Sequence, residues 1–272
     1  MPRSVETLSL RAGLRVLFLG AKFGNAHISS SISCVDILVA CFLARESNLD
    51  KEVILSKGHA AVAWYATLSE LELISHETLL SFAKNHSHLG VHLTKNATTR
   101  SSLSTGSLGH GLSFGAGVAF GAKLLQSDRR PIVVIGDGEL GEGSVWEAAQ
   151  FAGRFSLGNL TAIVDLNGVQ AVGQYAEVFA NQEVGARFTS HGWTVIEIDE
   201  TSSIKLYDTL KSIQSSIRPV AILANSWDSP HFSFFRKSVE WHYRSPTFEE
   251  IEGSLPDALS KTDYDEIRHI FS

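Results

Sequence analysis

A short turn near the middle of the chain gathers acids just where a helix is about to begin. The run PIVVIGDGELGEGSVWEAAQF reads as strand, tight turn and helix, with Asp137, Glu139 and Glu142 in the turn. Taken literally, Gly136-Asp137-Gly138-Glu139-Leu140-Gly141 satisfies the G-x-G-x-x-G fingerprint of dinucleotide sites. Electrostatics count against that reading, because a bare pyrophosphate needs backbone N–H groups and a positive helix end. Acidic side chains beside a diphosphate become tolerable when a divalent cation sits between them. Mg2+ or Ca2+ takes a shell of carboxylate, amide and backbone carbonyl, water and phosphate oxygens. A second oxygen ligand should come from a neighbouring strand end. The run LTAIVDLNGVQ supplies Asn167, thirty residues after Asp137. A strand, a helix of three to four turns and a return strand use about that many residues. Asp137 and Asn167 then lie side by side at adjacent carboxyl ends of a sheet, with the Val169 carbonyl placed to complete the protein's share.

The elements that must hold these residues show in the apolar pattern. Ile132–Ile135, Leu160–Val164, Thr194–Ile198, Val220–Leu223 and, more weakly, Glu52–Leu55 are short apolar runs without alternation. That is the pattern of parallel strands covered on both faces. Between them lie segments with helical spacing. Val5–Leu19 has apolar residues at 5, 8, 12, 16 and 19; the others are Ser33–Leu43, Gly58–Leu73, Leu108–Leu125, Gly143–Phe155 and Ile204–Ser215. The alternation predicts an α/β fold, a doubly wound and mainly parallel sheet with helices on both faces. Ligands bind such sheets beyond the carboxyl ends of the strands, where the acidic turn lies. After about Ser245 the pattern weakens. Residues 1–246 are therefore expected to form the domain, and 247–272 a polar tail that serves as a surface extension or a partner contact.

Bulk properties narrow the function classes. A chain of 272 residues can bury one large core. Its net charge of −6, with basic residues scattered, argues against a nucleic-acid footprint or a membrane-surface patch. Cys34 and Cys41 lie in one apolar stretch and read as core thiols of a reducing compartment. The start has no uninterrupted apolar core before a cleavage site, so no signal peptide is expected. Leu108–Leu125 is long and apolar but carries five glycines, His110 and Lys123, and reads as a packed helix rather than a membrane span. A cytoplasmic setting is expected.

The stretch GDGELGEGSVWEAAQFAGRFSLGNLTAIVDLN resembles the thiamine-diphosphate motif, which opens on GDG and closes on an asparagine. Glu142 and AGRFSLGNL narrow the resemblance to the transketolase family, over residues 10–246. ILSKGHAAVAWYATLSEL is similar to the family's LSxGH segment, which implies that His59 lies by the cofactor diphosphate and the reacting centre. His27, in Gly24-Asn25-Ala26-His27, sits where transketolases carry a substrate-contacting histidine, although NAHIS replaces SGHPG or SGHIG. The family's GHPE lies fourteen residues before the glycine of TGPLGQG. Counting back from Gly106 in STGSLGHGL gives His92, with His86 and His88 competing nearby. Ser104–Gly109 resembles TGxLGxG, implying that Gly106 and Leu108 hold the cofactor's central region. Trp241 and His242 fit the family's closing WH. Trp227-Asp228-Ser229-Pro230-His231 replaces its lysine–glycine run and leaves the sugar open.

The resemblance implies thiamine-diphosphate-dependent transfer of a two-carbon ketol unit from a ketose to an aldehyde acceptor, with the cofactor supplying the difficult chemistry. Asp137, Asn167 and the Val169 carbonyl would hold Mg2+ (or Ca2+), with Gly138 and Glu139 beside the cofactor. His27, His59 and His92 would serve proton transfer or oxyanion stabilisation. The family's activating glutamate belongs to a pyrimidine-binding domain. A second subunit carrying it is therefore expected, in an α2β2 heterotetramer. Gly143–Phe155, apolar nearly all round, would be buried in the core or at that interface, near Glu142 and Glu147. Three alternatives stay open at this stage. One is the α subunit of a 2-oxo acid dehydrogenase or another carboligase using the same cofactor; the second is a nicotinamide-binding dehydrogenase domain; the third is a non-catalytic scaffold subunit, given the altered surroundings of the histidines.

Overall fold

All five apolar runs become strands of one parallel sheet in the computed structural model, which describes residues 3–24, 27–45, 53–167, 169–170, 173–174, 183–199, 201–226, 241 and 244–272. In chain order the strands are β1 (Val53–Leu55), β2 (Ile132–Gly136), β3 (Thr161–Leu166), a short hairpin of β4 (Val169–Gln170) and β5 (Gly173–Gln174), then β6 (Thr194–Ile198) and β7 (Val220–Asn225). The sheet order is β1-β2-β3-β7-β6, and every pair in it is parallel. Successive side chains of a strand point to opposite faces. Val134, Ile163 and Ile222 accordingly enter one core, and Val133, Val164 and Leu223 the other. Both faces are covered, which is why the runs show no polar alternation. β6 is the edge exception, with Thr194 and Glu197 exposed.

The helices are α1 (Val5–Phe23), α2 (Ile28–Ile32), α3 (Val35–Ala44), α4 (Ala61–Glu70), α5 (His76–Leu79), α6 (His110–Leu124), α7 (Gly143–Arg154), α8 (Val184–Ser190), α9 (Ser203–Ser212), α10 (Phe248–Glu252) and α11 (Lys261–Phe271). α1, α3, α4 and α9 cover one face of the sheet; α6, α7 and α8 cover the other. The helix expected from Gly58 starts later, because Gly58–Ala60 first make one tight turn off the end of β1. Both cysteines are free and buried, and burial pushes the Cys41 thiol up to about 12 and raises Cys34 as well. Among the described residues no helix is long and apolar enough to cross a membrane.

The expectation of a polar extension after residue 246 is corrected. α10 and α11 fold back onto α1, burying Ile251, Ile267 and Phe271 in the first core. The Phe18 ring lies 5.5 Å from Phe248 and 5.4 Å from Phe271. Arg11, buried on α1, donates to Glu70 on α4 and to Asp263 and Glu266 on α11. Each helix is capped: Thr247 and Glu250 form a capping box, and Ser260 accepts from the Asp263 N–H. The few apolar residues of this segment look weak in isolation. Their partner, α1, lies more than two hundred residues away in sequence.

Candidate functional site

Because the sheet is parallel, the turns after β1, β2 and β3 emerge on one edge. The register pairs Gly136 with Asp165, so Asp137 and Asn167 follow neighbouring strand ends, as their spacing required. Asp137 is buried and Asn167 half-buried. Val169 opens β4 and pairs with Gln174, immediately beyond Asn167. One carboxylate, one amide and one backbone carbonyl make a hard oxygen donor set. Such a set suits Mg2+ when phosphate and water oxygens complete the shell. Among the described residues no three His, Cys, Asp or Glu side chains converge to hold a metal ion on their own.

Glu139, like Asp137, is buried. It is buried under the turn, where Ser56 Oγ donates to it at 2.5 Å, the Gly109 N–H at 2.8 Å and the Gly136 N–H at 3.0 Å. Burial pushes its pKa up against those three hydrogen bonds. Its carboxylate ties the end of β1, the Gly109 turn and the end of β2 together. Gly109, at φ +83, is held from the other side too: Ser144 Oγ donates to its carbonyl at 2.9 Å. A Cβ on Gly109 would lie 2.7 Å from Glu142 Cβ. The Gly109 turn thus packs on the first residues of α7, where a dinucleotide pyrophosphate would have to sit.

The three histidines singled out by sequence come together. The His27 ring lies 5.7 Å from His59 and 5.7 Å from His92, edge to face with both. His86 and His88 are exposed on the same connection as His92 and make no ring contact with this group. His59 lies in the tight turn after β1. The His92 segment is strung beside it: the Leu93 N–H donates to the Gly58 carbonyl at 3.1 Å, and the Thr105 N–H to the Leu93 carbonyl at 2.9 Å. Gly106, at φ +146, turns its bare Cα to the His92 ring; a Cβ there would lie 3.1 Å from Cδ2. Leu108 follows, half-buried, at the entrance to the Gly109 turn. His27 sits in the left-handed region, φ 40 and ψ 52, and opens α2. Desolvation among its neighbours, then the charge of His92, holds its pKa below the ordinary histidine value. Thr105 Oγ1, between these turns, is buried and has no hydrogen-bond partner. An orphaned hydroxyl beside histidines and close-approach glycines fits a polar ligand with its own donors and acceptors. Asn25, Ala26, the run Trp227–His231 and His242 lie outside the described residues. Trp241 is buried under the Arg244 guanidinium, 3.7 Å from its ring centre.

Two site residues were not found by sequence reasoning. Lys57 and Asp165, both fully buried, form an ion pair of 2.6 Å across the end of β2. Asp165 also accepts from Ser33 Oγ at 2.7 Å and from Ser226 Oγ. Burial opposes the Lys57 charge, but Asp165 chiefly, with Asp137 adding, raises its pKa. The available signal was a charged residue inside the apolar run of β3, two places before Asn167.

α7 buries Val145, Ala148, Ala149 and Ala152. Its other side is not core: Phe151 and Phe155 reach the surface and pack with Phe120, at 5.4 and 4.8 Å. Glu142 and Glu147 are exposed on this helix and its cap.

Comparison with known proteins places this arrangement among relatives. Residues 42–226 match the family model described as transketolase, thiamine diphosphate binding domain. The chain is 34% identical to one subunit of the apulose-4-phosphate transketolase of Actinobacillus succinogenes, over 92% of this chain and 93% of that one. It is 31% identical to the corresponding subunit of the apulose-4-phosphate transketolase of Phocaeicola vulgatus, over 94% and 95%. Among solved structures, the transketolase of Campylobacter jejuni shares its fold, with a TM-score of 0.78 at 23% identity. That match covers all of this chain but 46% of the transketolase, so the chain spans about half the length of that structure.

Proposed function

The chain belongs to the transketolase family, and from that premise we propose that it is the diphosphate-binding subunit of a two-chain transketolase, moving a two-carbon ketol unit from a ketose to an aldehyde acceptor. The observation that carries the proposal is the meeting of His27, His59 and His92 at the strand edge that also bears Asp137 and Asn167. Thiamine diphosphate, when bound, supplies the carbon chemistry. Asp137, Asn167 and the Val169 carbonyl would hold Mg2+ against its diphosphate, and the Gly138 N–H would donate to a phosphate oxygen. Gly106 and Leu108 would border its central part. The histidines would then flank the reacting carbons, where imidazoles near neutrality can donate or accept a proton.

Support for a second subunit comes from the two relatives that are themselves single subunits of a transketolase, and from the exposed aromatic side of α7. That subunit would carry the pyrimidine-binding domain and the activating glutamate, in an α2β2 assembly with α7 at the contact. Residues 1–246 would carry the site. Thiamine diphosphate uptake by the chain should require Mg2+ or Ca2+ and vanish in Asp137→Ala. With the second subunit present, the pair should transfer two carbons between sugars. Metal-independent NAD binding, or no turnover over a broad ketose panel, would sink the proposal.

A further inference from the structure

Among the described residues, three buried carboxylates stand at one end of this sheet with one buried lysine among them. Asp137, Glu139 and Asp165 are all at least 96% buried, and Lys57 is 1% exposed. The Lys57 stem runs from the end of β1 past Gly136, its Cδ about 3.7 Å from where a Cβ on that glycine would be. Its ammonium ends on Asp165 in β3. Asp165 lies in β3, two residues before Asn167, which follows the end of that strand. The Asp165 oxygens are already engaged by Lys57, Ser33 and Ser226.

Building on the proposed function, we propose that Lys57 is a positioning residue that withholds the Asp165 carboxylate from the cation site at Asp137 and Asn167, so that the cation enters with the diphosphate rather than alone. Without Lys57, Asp165 would join Asp137 in an acidic cup able to take a divalent ion unaided. With it, the protein offers one carboxylate and neutral oxygens, too few for a hard cation until phosphate oxygens arrive. The same ammonium offsets the negative field that a diphosphate would meet. Lys57 thus couples the two ligands.

The test uses the full chain, Mn2+ as the probe cation read by electron paramagnetic resonance, and thiamine diphosphate read by calorimetry. Wild type should bind Mn2+ weakly alone and tightly with thiamine diphosphate. Lys57→Met should tighten Mn2+ alone by about tenfold and weaken thiamine diphosphate at saturating Mn2+ by a similar factor, as expected for a unit charge several ångströms away. Asp165→Asn, which leaves Lys57 uncompensated, should do the reverse: Mn2+ alone weakens, and metal-free thiamine diphosphate tightens. The double variant Lys57→Met/Asp165→Asn should return Mn2+ alone to the wild-type value. A purely structural role would move both ligands in the same direction in every variant, and that result would overturn the inference. Should Lys57→Met fail to fold, the sign of the Asp165→Asn effect decides alone. If wild type itself shows no metal-dependent uptake, the proposed function fails and this inference with it.

Discussion

Substituting Gly58 by alanine puts one methyl group where the structure has no room. The new carbon would sit 2.4 Å from the Thr105 carbonyl carbon and 2.5 Å from its oxygen, both backbone atoms. Ordinary contact begins near 3.4 Å, so the two segments must part by about 1 Å. They are not free to do so, because Leu93 is bonded to both: its N–H to Gly58 and its carbonyl to Thr105. Overpacking of this kind destabilises by about 1–3 kcal/mol. The displaced parts are the turns that carry His59, His92 and Gly106, and a 1 Å misplacement at a reacting centre costs on the order of a hundredfold in rate. Gly117→Ala is the control: it lies exposed within α6, its added methyl meets nothing within 4 Å, and it should stabilise by roughly 0.5–1 kcal/mol. Urea unfolding gives the stability of both variants, and two-carbon transfer with the second subunit gives the rate. A Gly58→Ala chain with wild-type unfolding and wild-type turnover would refute the reasoning.

Arg11→Met removes a guanidinium shared by Glu70, Asp263 and Glu266, leaving the buried Glu70 with Arg15 alone, and should destabilise by about 3 kcal/mol. α11 should become the first site of limited proteolysis, and unchanged protease resistance would show that Arg11 does not hold α11 in place. His27 has its pKa lowered by desolvation and His92, so the folded chain favours its neutral form. Its contribution to stability is present above the unfolded histidine value of about 6.5 and is lost as pH falls through the folded value. His27→Gln should flatten that acid-side loss, and an NMR titration placing His27 above the free value would count against it. Phe151→Ser with Phe155→Ser, at side chains 37% and 40% exposed, should change unfolding little and weaken association with the second subunit in sedimentation. Equal association would remove α7 from the interface.

Much of this was legible because it is local or periodic. The strands are announced by apolar runs, and the Asp137–Asn167 pairing follows from the length of one strand–helix–strand unit. What stayed hidden depends on contacts that no local pattern encodes. Lys57 reaches past β2 to Asp165 on a strand that is not its neighbour, 108 residues away. Glu139 sits among Asp137 and Glu142 in the turn, and sequence gives no sign that it reaches inward to three donors. α10 and α11 bury only a few apolar side chains, and what those pack against is α1, at the other end of the chain. The histidines were found by resemblance. Their meeting is a matter of three separate loops.

The Asp165 cluster also has a meaning in time. Its three donors come from positions 132, 108 and 61 residues away along the chain. Lys57 cannot reach Asp165 before β1, β2 and β3 have come together, nor Ser226 before β3 and β7 have paired, and contacts of such long range are won late in folding. A cofactor held over this cluster would recognise finished molecules and ignore partly folded ones. By mass action it would draw the population toward the native state, by about 2.7 kcal/mol at a hundredfold excess over its dissociation constant. The anchor would then work as an inspector of the fold as well as a handle for the ligand.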